Sequence, residues 1–438
     1  MSSAAAGDSS APIDRIHGRA LLVWAVAVAV YIGAITARTS MGVAGVDAME
    51  RFSVDASRLA VFVGVQVGVY AAAQIPVGLL IDRYGPRKVL VVGAVIIAVG
   101  QTVLALTTSY PLAILGRVLI GAGDATAFLS VMRLLPAWFP IRVTPVFTQL
   151  TSSLGQIGQF LSAVPFLAAL HHYGWLPAFL GLGTAGLLVA LAAGVAVVDS
   201  PEAKDKTVAV APATAHTSTP PTPSWVRLKE RLAYVVKQPV CWQAFFTHWS
   251  GLGYQATFTL LWGMPLMTLG MGLTPAQAST VLIVNTVSII IGGPLVGLAS
   301  ARFDRSRVAL ALVCSTLTTL ALVWLLYLAG DNAGASPSFA VIAVVNVILG
   351  AASQAANVGF DDVRVHVERH ALATATGLAN MGGFVATMLA AQLIGFGLDW
   401  SNPARDYGWA DFQFAYLAAF LVWGVGVVGL VVARRAVR

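Results

Sequence analysis

A chain of 438 residues that is 58% hydrophobic and only 10% charged has too little ionic surface to cover a water-soluble globule, where charged residues approach about a quarter. Its formal charge of +7 does not point to nucleic acid, because the Lys and Arg stand in short clusters between apolar runs, as membrane topology requires. Those runs, rich in Ala, Val, Leu, Ile and Gly, each approach the roughly 20 residues that cross a bilayer as helix, which excludes a closed barrel.

Residues 1–18 read as a polar cytoplasmic tail, with Arg15, His17 and Arg19 leading into the first run. That run is too long for a signal-peptide core and lacks a cleavage site, so it is predicted to stay as the first span. Six spans are predicted at 20–44, 59–80, 88–107, 111–132, 144–169 and 175–198, forming an N-terminal six-helix bundle over 19–198. Residues 199–239 form a predicted cytoplasmic linker. Its first part, Asp199 to Pro223, is rich in Ala, Thr and Pro, a composition that cannot bury a core. From Ser224 an amphipathic helix is predicted to lie at the lipid surface, with Trp225, Leu228 and Leu232 opposite Arg227, Lys229, Glu230 and Arg231. A C-terminal six-helix bundle over 240–433 is predicted from spans at 240–268, 276–299, 308–329, 339–360, 371–398 and 411–433, followed by a short tail, 434–438.

Basic residues in short loops mark the cytoplasmic side. Arg83, Arg133, Arg302 and Arg364 fall in alternate loops on the side of the termini, whereas Arg51, Arg58 and Arg405 fall on the other. Both termini are therefore expected in the cytoplasm, with the chain crossing the plasma (inner) membrane repeatedly. Cys241 and Cys314 lie inside apolar runs without metal-ligand neighbours, so no disulfide framework, metal or cofactor is expected.

The halves echo each other, since Gly78, Arg83 and Lys88 after span 2 are matched half a chain later by Gly297, Arg302 and Arg307 after span 8. The stretch Gly78-Leu-Leu-Ile-Asp82-Arg83-Tyr-Gly85-Pro-Arg87-Lys88 resembles the signature loop of the major facilitator superfamily. Arg117-Val-Leu-Ile-Gly121-Ala-Gly123-Asp124-Ala125 resembles that superfamily's second motif, an intramembrane Arg followed by a glycine-rich helix. The resemblance implies an all-α fold of twelve membrane helices in two bundles, a central site and alternating access. It also implies a gating role for Gly78, Asp82, Arg83, Gly85, Arg87 and the copy's Arg302. The interval between Arg117 and Asp124, and that between Tyr31 and Arg38, are similar to the anion:cation symporter branch, which places a tyrosine and an arginine on helix 1 for an organic anion. The sequence departs from that branch in carrying Asp124 where Glu is usual.

A charge at mid-bilayer costs at least about 2.5 to 3.5 kcal/mol, so Arg38, Arg117 and Asp124 are functional candidates by position alone. Arg117, Gly121 and Asp124 share one helix face. Asp124 is the candidate proton carrier with Arg117 beside it; the alternative is a permanent counter-ion. Arg38 is the candidate anion anchor, because its planar fork matches a carboxylate or phosphate; the alternative is an interfacial Arg. On span 7, His248, Gln255 and Trp262 recur every seven residues with Tyr254 adjoining, a polar and aromatic wall for a cavity. Spans 5 and 10 add stripes through Thr148, Ser152, Gly155 and Gln159, and through Asn346, Gly350, Ser353 and Asn357, with Asn285 and Asn380 nearby. Such stripes line cavities or pack helices closely.

No phosphate-cradling loop, HExxH or ATPase-sized domain is present, so an enzyme is not expected and energy must come from an ion gradient. The expected function is proton-coupled uptake of a small, anionic substrate by a lipid-embedded monomer. Drug efflux is the rival; exporters of that kind carry a Gly-Pro motif in span 5, where Gly155-Gln-Ile-Gly158 stands here with Pro165 distant.

Overall fold

The computed structural model describes residues 16–54, 56–201, 224–303, 307–329, 336–404 and 406–437. The expected tail through Arg15, linker residues 202–223, Arg405, Arg438 and the side chains of residues 224–228 lie outside the described residues.

Among the described residues twelve long helical runs follow one another, with a short helix, Gly45–Phe52, between the first two. The first six are α1 Gly18–Val43, α2 Ala56–Tyr84, α3 Pro86–Leu106, α4 Tyr110–Trp138, α5 Thr144–Tyr173 and α6 Trp175–Ala196. The second six are α7, which opens as Pro239–Thr257, then α8 Pro275–Arg302, α9 Arg307–Leu328, α10 Phe339–His366, α11 Arg369–Ser401 and α12 Trp409–Val437. Among the described residues eleven of these are long and apolar enough to cross a membrane. The exception is α7, whose buried Gln243, Thr247, His248, Gln255 and Thr257 lower its hydropathy. It continues through π-helical turns at Phe258–Trp262 and Leu266–Gly270. A shorter helix at Ser224–Lys237 precedes it.

The boundaries have local causes. Gly85 (φ 88°) and Gly174 (φ 80°) turn the chain in a conformation that side chains resist, and Pro86 then supplies the preset φ of a first helical residue. At α8, Thr274 and Gln277 cap each other's backbone N–H reciprocally. The outward faces carry exposed Leu188, Leu191, Val195, Ile291 and Leu421, an arrangement stable only where the surroundings are lipid.

Within the first bundle α4 packs on α1, α2 and α3; within the second, α11 packs on α7 and α12, and α10 on α8. The bundles meet along two seams related by the repeat, α2 with α11 and α5 with α8. Glycine makes both seams close. A Cβ on Gly78 would stand 2.6 Å from Thr374 Cα and 2.7 Å from the Ala373 carbonyl oxygen, and one on Gly297 would stand 2.9 Å from Val146 Cα. Because the obstacles at Gly78 are backbone atoms, Gly78→Val is expected to hold this end of the seam open. The check is a single cysteine at Ser353 in a variant lacking Cys241 and Cys314: its labelling by a membrane-impermeant thiol reagent from the side of the termini should rise.

Candidate functional site

Between the bundles lies a cavity of about 130 Å³. The first half lines it with Tyr31 and Arg38 of α1, Tyr70 of α2, and Ser152, Gln156 and Gln159 of α5. The second half adds His248 and Gln255 of α7, Ser353 and Asn357 of α10, and Asn380 and Phe384 of α11.

Among the described residues the one ion pair in this wall joins α1 to α4. Arg38 Nε donates to Asp124 Oδ2 at 2.6 Å and Nη2 to Oδ1 at 3.0 Å, a bidentate fork. Its guanidinium also lies 4.5 Å from the centre of the Tyr70 ring, within cation–π range. The Asp124 side chain is fully buried, whereas that of Arg38 keeps 19% of its surface exposed toward the cavity. The carboxylate is thus reached through the arginine.

Arg117, wholly buried, is placed differently from a partner for Asp124. Its Nε, Nη1 and Nη2 donate to the backbone carbonyls of Phe62, Ala37 and Arg38 at 3.4, 3.3 and 3.0 Å. Seven residues along a helix is a rise of about 10 Å, so α1 supplies the nearer cation while Arg117 pins the backbone that presents it. The three groups sum to one positive charge buried beside the cavity.

Amide contacts complete the wall. Gln255 Nε2 donates to Asn285 Oδ1 at 2.8 Å, and Asn285 Nδ2 returns a bond to Gln255 Oε1 at 3.3 Å. Asn357 Nδ2 crosses between the halves to Ser152 Oγ at 3.1 Å, and Asn380 Nδ2 to Tyr70 Oη at 3.1 Å and Gln74 Oε1 at 2.8 Å. His248 Nδ1 lies 3.0 Å from the Asn380 carbonyl oxygen, which fixes its ring against α11. Gln159 donates to Gln156 at 2.7 Å.

Two expected wall residues stand elsewhere. Tyr254 packs against Phe420 in the core of the second bundle, and Trp262 Nε1 donates to the Ala391 carbonyl at 2.9 Å. Tyr254 is one residue, about 100°, from Gln255, and Trp262 sits in a π-helical turn that slips the 3.6-residue phase.

At the end that carries the termini, Asp82 accepts from the N–H groups of Ala373 and Thr374 at 2.9 and 2.8 Å and from the Thr374 hydroxyl at 2.7 Å. A carboxylate of the first half therefore caps a helix start of the second, where the helix dipole favours negative charge. Arg133 Nε is 3.8 Å from Asp82. Asp199 fills the space beside Gly85 and accepts the Arg87 N–H at 2.8 Å. Arg83 lies over the Tyr84 ring, and Arg302 is exposed at the end of α8.

Sequence reasoning passed over Tyr70 and Gln74, although Gln66, Tyr70 and Gln74 recur every four residues on α2 as a polar stripe in an apolar span. It also read Arg364 only as a loop charge. Arg364 is buried, paired with Asp361 at 2.6 Å, and donates across the α5 seam to Thr148 Oγ1 at 3.1 Å.

The profile of the Major Facilitator Superfamily matches residues 24–391. The chain belongs to this superfamily. A probable sulfoacetate transporter of Cupriavidus necator is 26% identical over 196 residues, which cover 45% of each chain. A probable L-galactonate transporter of Escherichia coli is 27% identical over 183 residues, covering 42% of this chain and 40% of that one. The matched stretches thus span less than half the length of these relatives, which are transporters rather than enzymes. The solved structure of the transporter FucP in its outward conformation superposes with a TM-score of 0.66 at 13% identity, covering 95% of this chain and 99% of that one. The proton:xylose symporter XylE superposes at 0.69 and 14% identity, covering 96% and 97%. These two likenesses establish the two-bundle fold of a superfamily member.

Proposed function

We propose that this chain is a proton-coupled secondary transporter that takes up a small organic anion through the central cavity by alternating access. The observation that carries this reading is the Arg38–Asp124 fork, with its arginine open to the cavity, its carboxylate behind and Arg117 leaving the group one positive charge in excess. An anion entering the cavity competes with Asp124 for the Arg38 fork. Once displaced, Asp124 would be a buried carboxylate without its partner, which is costly unless it takes a proton. Anion binding and protonation therefore favour each other, and by linkage each raises the affinity for the other. Both named relatives carry organic anions in their names, which supports the substrate class.

The end bearing Arg83, Arg133, Arg302 and Arg364 is read as cytoplasmic in the plasma membrane. The Asp82 cap and the Arg364–Thr148 bond then close the cytoplasmic end, an arrangement that belongs to the outward-facing half of the cycle. Opening inward requires Asp82 to leave α11, with Gly78, Arg83, Gly85 and Arg87 in the moving loop. Tyr31, Gln159, His248, Gln255 and Asn357 are the groups placed to hold the rest of the substrate.

The test is uptake of labelled L-galactonate and sulfoacetate into liposomes holding the purified protein. Accumulation under an acid-outside gradient, abolished by a protonophore, is expected for at least one of them. Accumulation that ignores the protonophore but needs external sodium would replace the coupling ion, and gradient-driven export of lipophilic cations would replace the direction.

A further inference from the structure

We propose that the transporter moves one proton with one singly charged anion, electroneutrally, and discriminates against doubly charged anions; this rests on the proton-coupled reading above. The inference comes from counting ionisable groups around the cavity. Among the described residues Asp124 is the one carboxylate paired with a cavity-lining side chain. The other buried carboxylates are committed at the basic end: Asp82 to the α11 start, Asp361 to Ser300 and Arg364, and Asp362 to Gln243 and Arg307.

Among the described residues the groups around Asp124 include no second carboxylate. Arg38 and Tyr31 approach from α1, Tyr70 from α2 and Arg117 from its own helix. Across the cavity His248 is tied to α11 through Nδ1 and flanked by the rings of Phe360 and Phe384. An imidazolium there would share the cavity with the Arg38 cation and, among the described residues, would have no carboxylate to pair it.

The charge balance follows. When empty, Arg38, Arg117 and ionised Asp124 sum to +1. With a proton on Asp124 and a monoanion on Arg38 they again sum to +1, so the loaded and empty carriers cross the membrane field carrying the same charge. A dianion lowers the loaded sum to zero, so one net negative charge enters per cycle against an inside-negative potential. Its second charge would also lie among Gln159, Gln255, Asn357 and other neutral lining groups, because the remaining cation, Arg117, is wholly buried behind the wall and committed to backbone carbonyls.

Between the two anions named for the relatives, the singly charged L-galactonate is therefore favoured over the doubly charged sulfoacetate. The experiment follows both in liposomes with an internal pH dye, the membrane potential clamped by potassium and valinomycin. One proton per galactonate is expected, with about tenfold accumulation per unit of pH gradient, unchanged when the potential is reversed. Sulfoacetate uptake should be at least about tenfold slower, and slowed further by an inside-negative potential. Two protons per anion, a potential-dependent galactonate flux, or equal uptake of both anions overturns the proposal while leaving proton coupling intact. Anion uptake with no proton entry, or no uptake of either anion, overturns the coupling reading and this proposal with it.

Discussion

Asp124→Asn is expected to abolish acid-driven accumulation of substrate while leaving exchange of internal for external substrate at or above the wild-type rate. Asparagine preserves the shape of the side chain and one acceptor for the Arg38 fork, but holds no exchangeable proton. Arg38 is then permanently released from its counter-ion, so the anion binds without displacing a carboxylate. The binding half of the cycle persists and only its link to the gradient is lost. The measurement is a pair of assays on the same liposomes, net accumulation against counterflow, with folding checked by thermal denaturation. Some loss of stability is expected, because breaking a buried pair from one side costs about 3 to 5 kcal/mol and Asp124 is fully buried. Loss of both activities in a folded variant would make Asp124 a structural counter-ion and remove it from coupling.

The membrane helices were legible because hydropathy acts locally: a run of some 20 apolar residues has few alternatives to crossing as helix. The seams were partly legible. Gly78 and Gly297 stood out as a repeat, but only the packing shows that each is the point where one bundle touches the backbone of the other.

Pairing was not legible. Arg38 and Asp124 were each conspicuous as charges in apolar spans, yet they lie 86 positions apart, and the local candidate, Arg117, was closer in sequence. Which arginine meets the carboxylate depends on how α1 packs on α4, a tertiary fact without a periodic signal. Span 7 failed for another reason. A seven-residue interval keeps one face only while the helix holds its 3.6-residue period, and the π-helical turns from Phe258 onward carry Trp262 out of phase. Tyr70 and Gln74 carry no charge to mark them, although neutral polar groups spaced at four residues are also costly to leave unpaired in lipid.

Replacement of Arg38 separates the two duties assigned to it. In Arg38→Lys the charge remains but the planar fork is lost, so neither Asp124 nor a substrate carboxylate is met by two parallel N–H donors. Losing one charge-assisted hydrogen bond, about 1.5 to 3 kcal/mol, corresponds to roughly ten- to hundredfold weaker anion binding, to be read from substrate-dependent thermal stabilisation of the purified protein. Unchanged affinity would remove Arg38 from the anion site. Arg38→Ala goes further, since it strands Asp124 as a buried, unpaired carboxylate and is expected to lower stability by about 3 to 5 kcal/mol. The double variant Arg38→Ala/Asp124→Ala should recover most of that loss while remaining unable to bind the anion. Such a result is the signature of a pair whose stability cost and functional value are separable. Failure of the double variant to recover would mean that Arg38 supports the fold through its stacking on Tyr70 and its place on α1, independently of the carboxylate behind it.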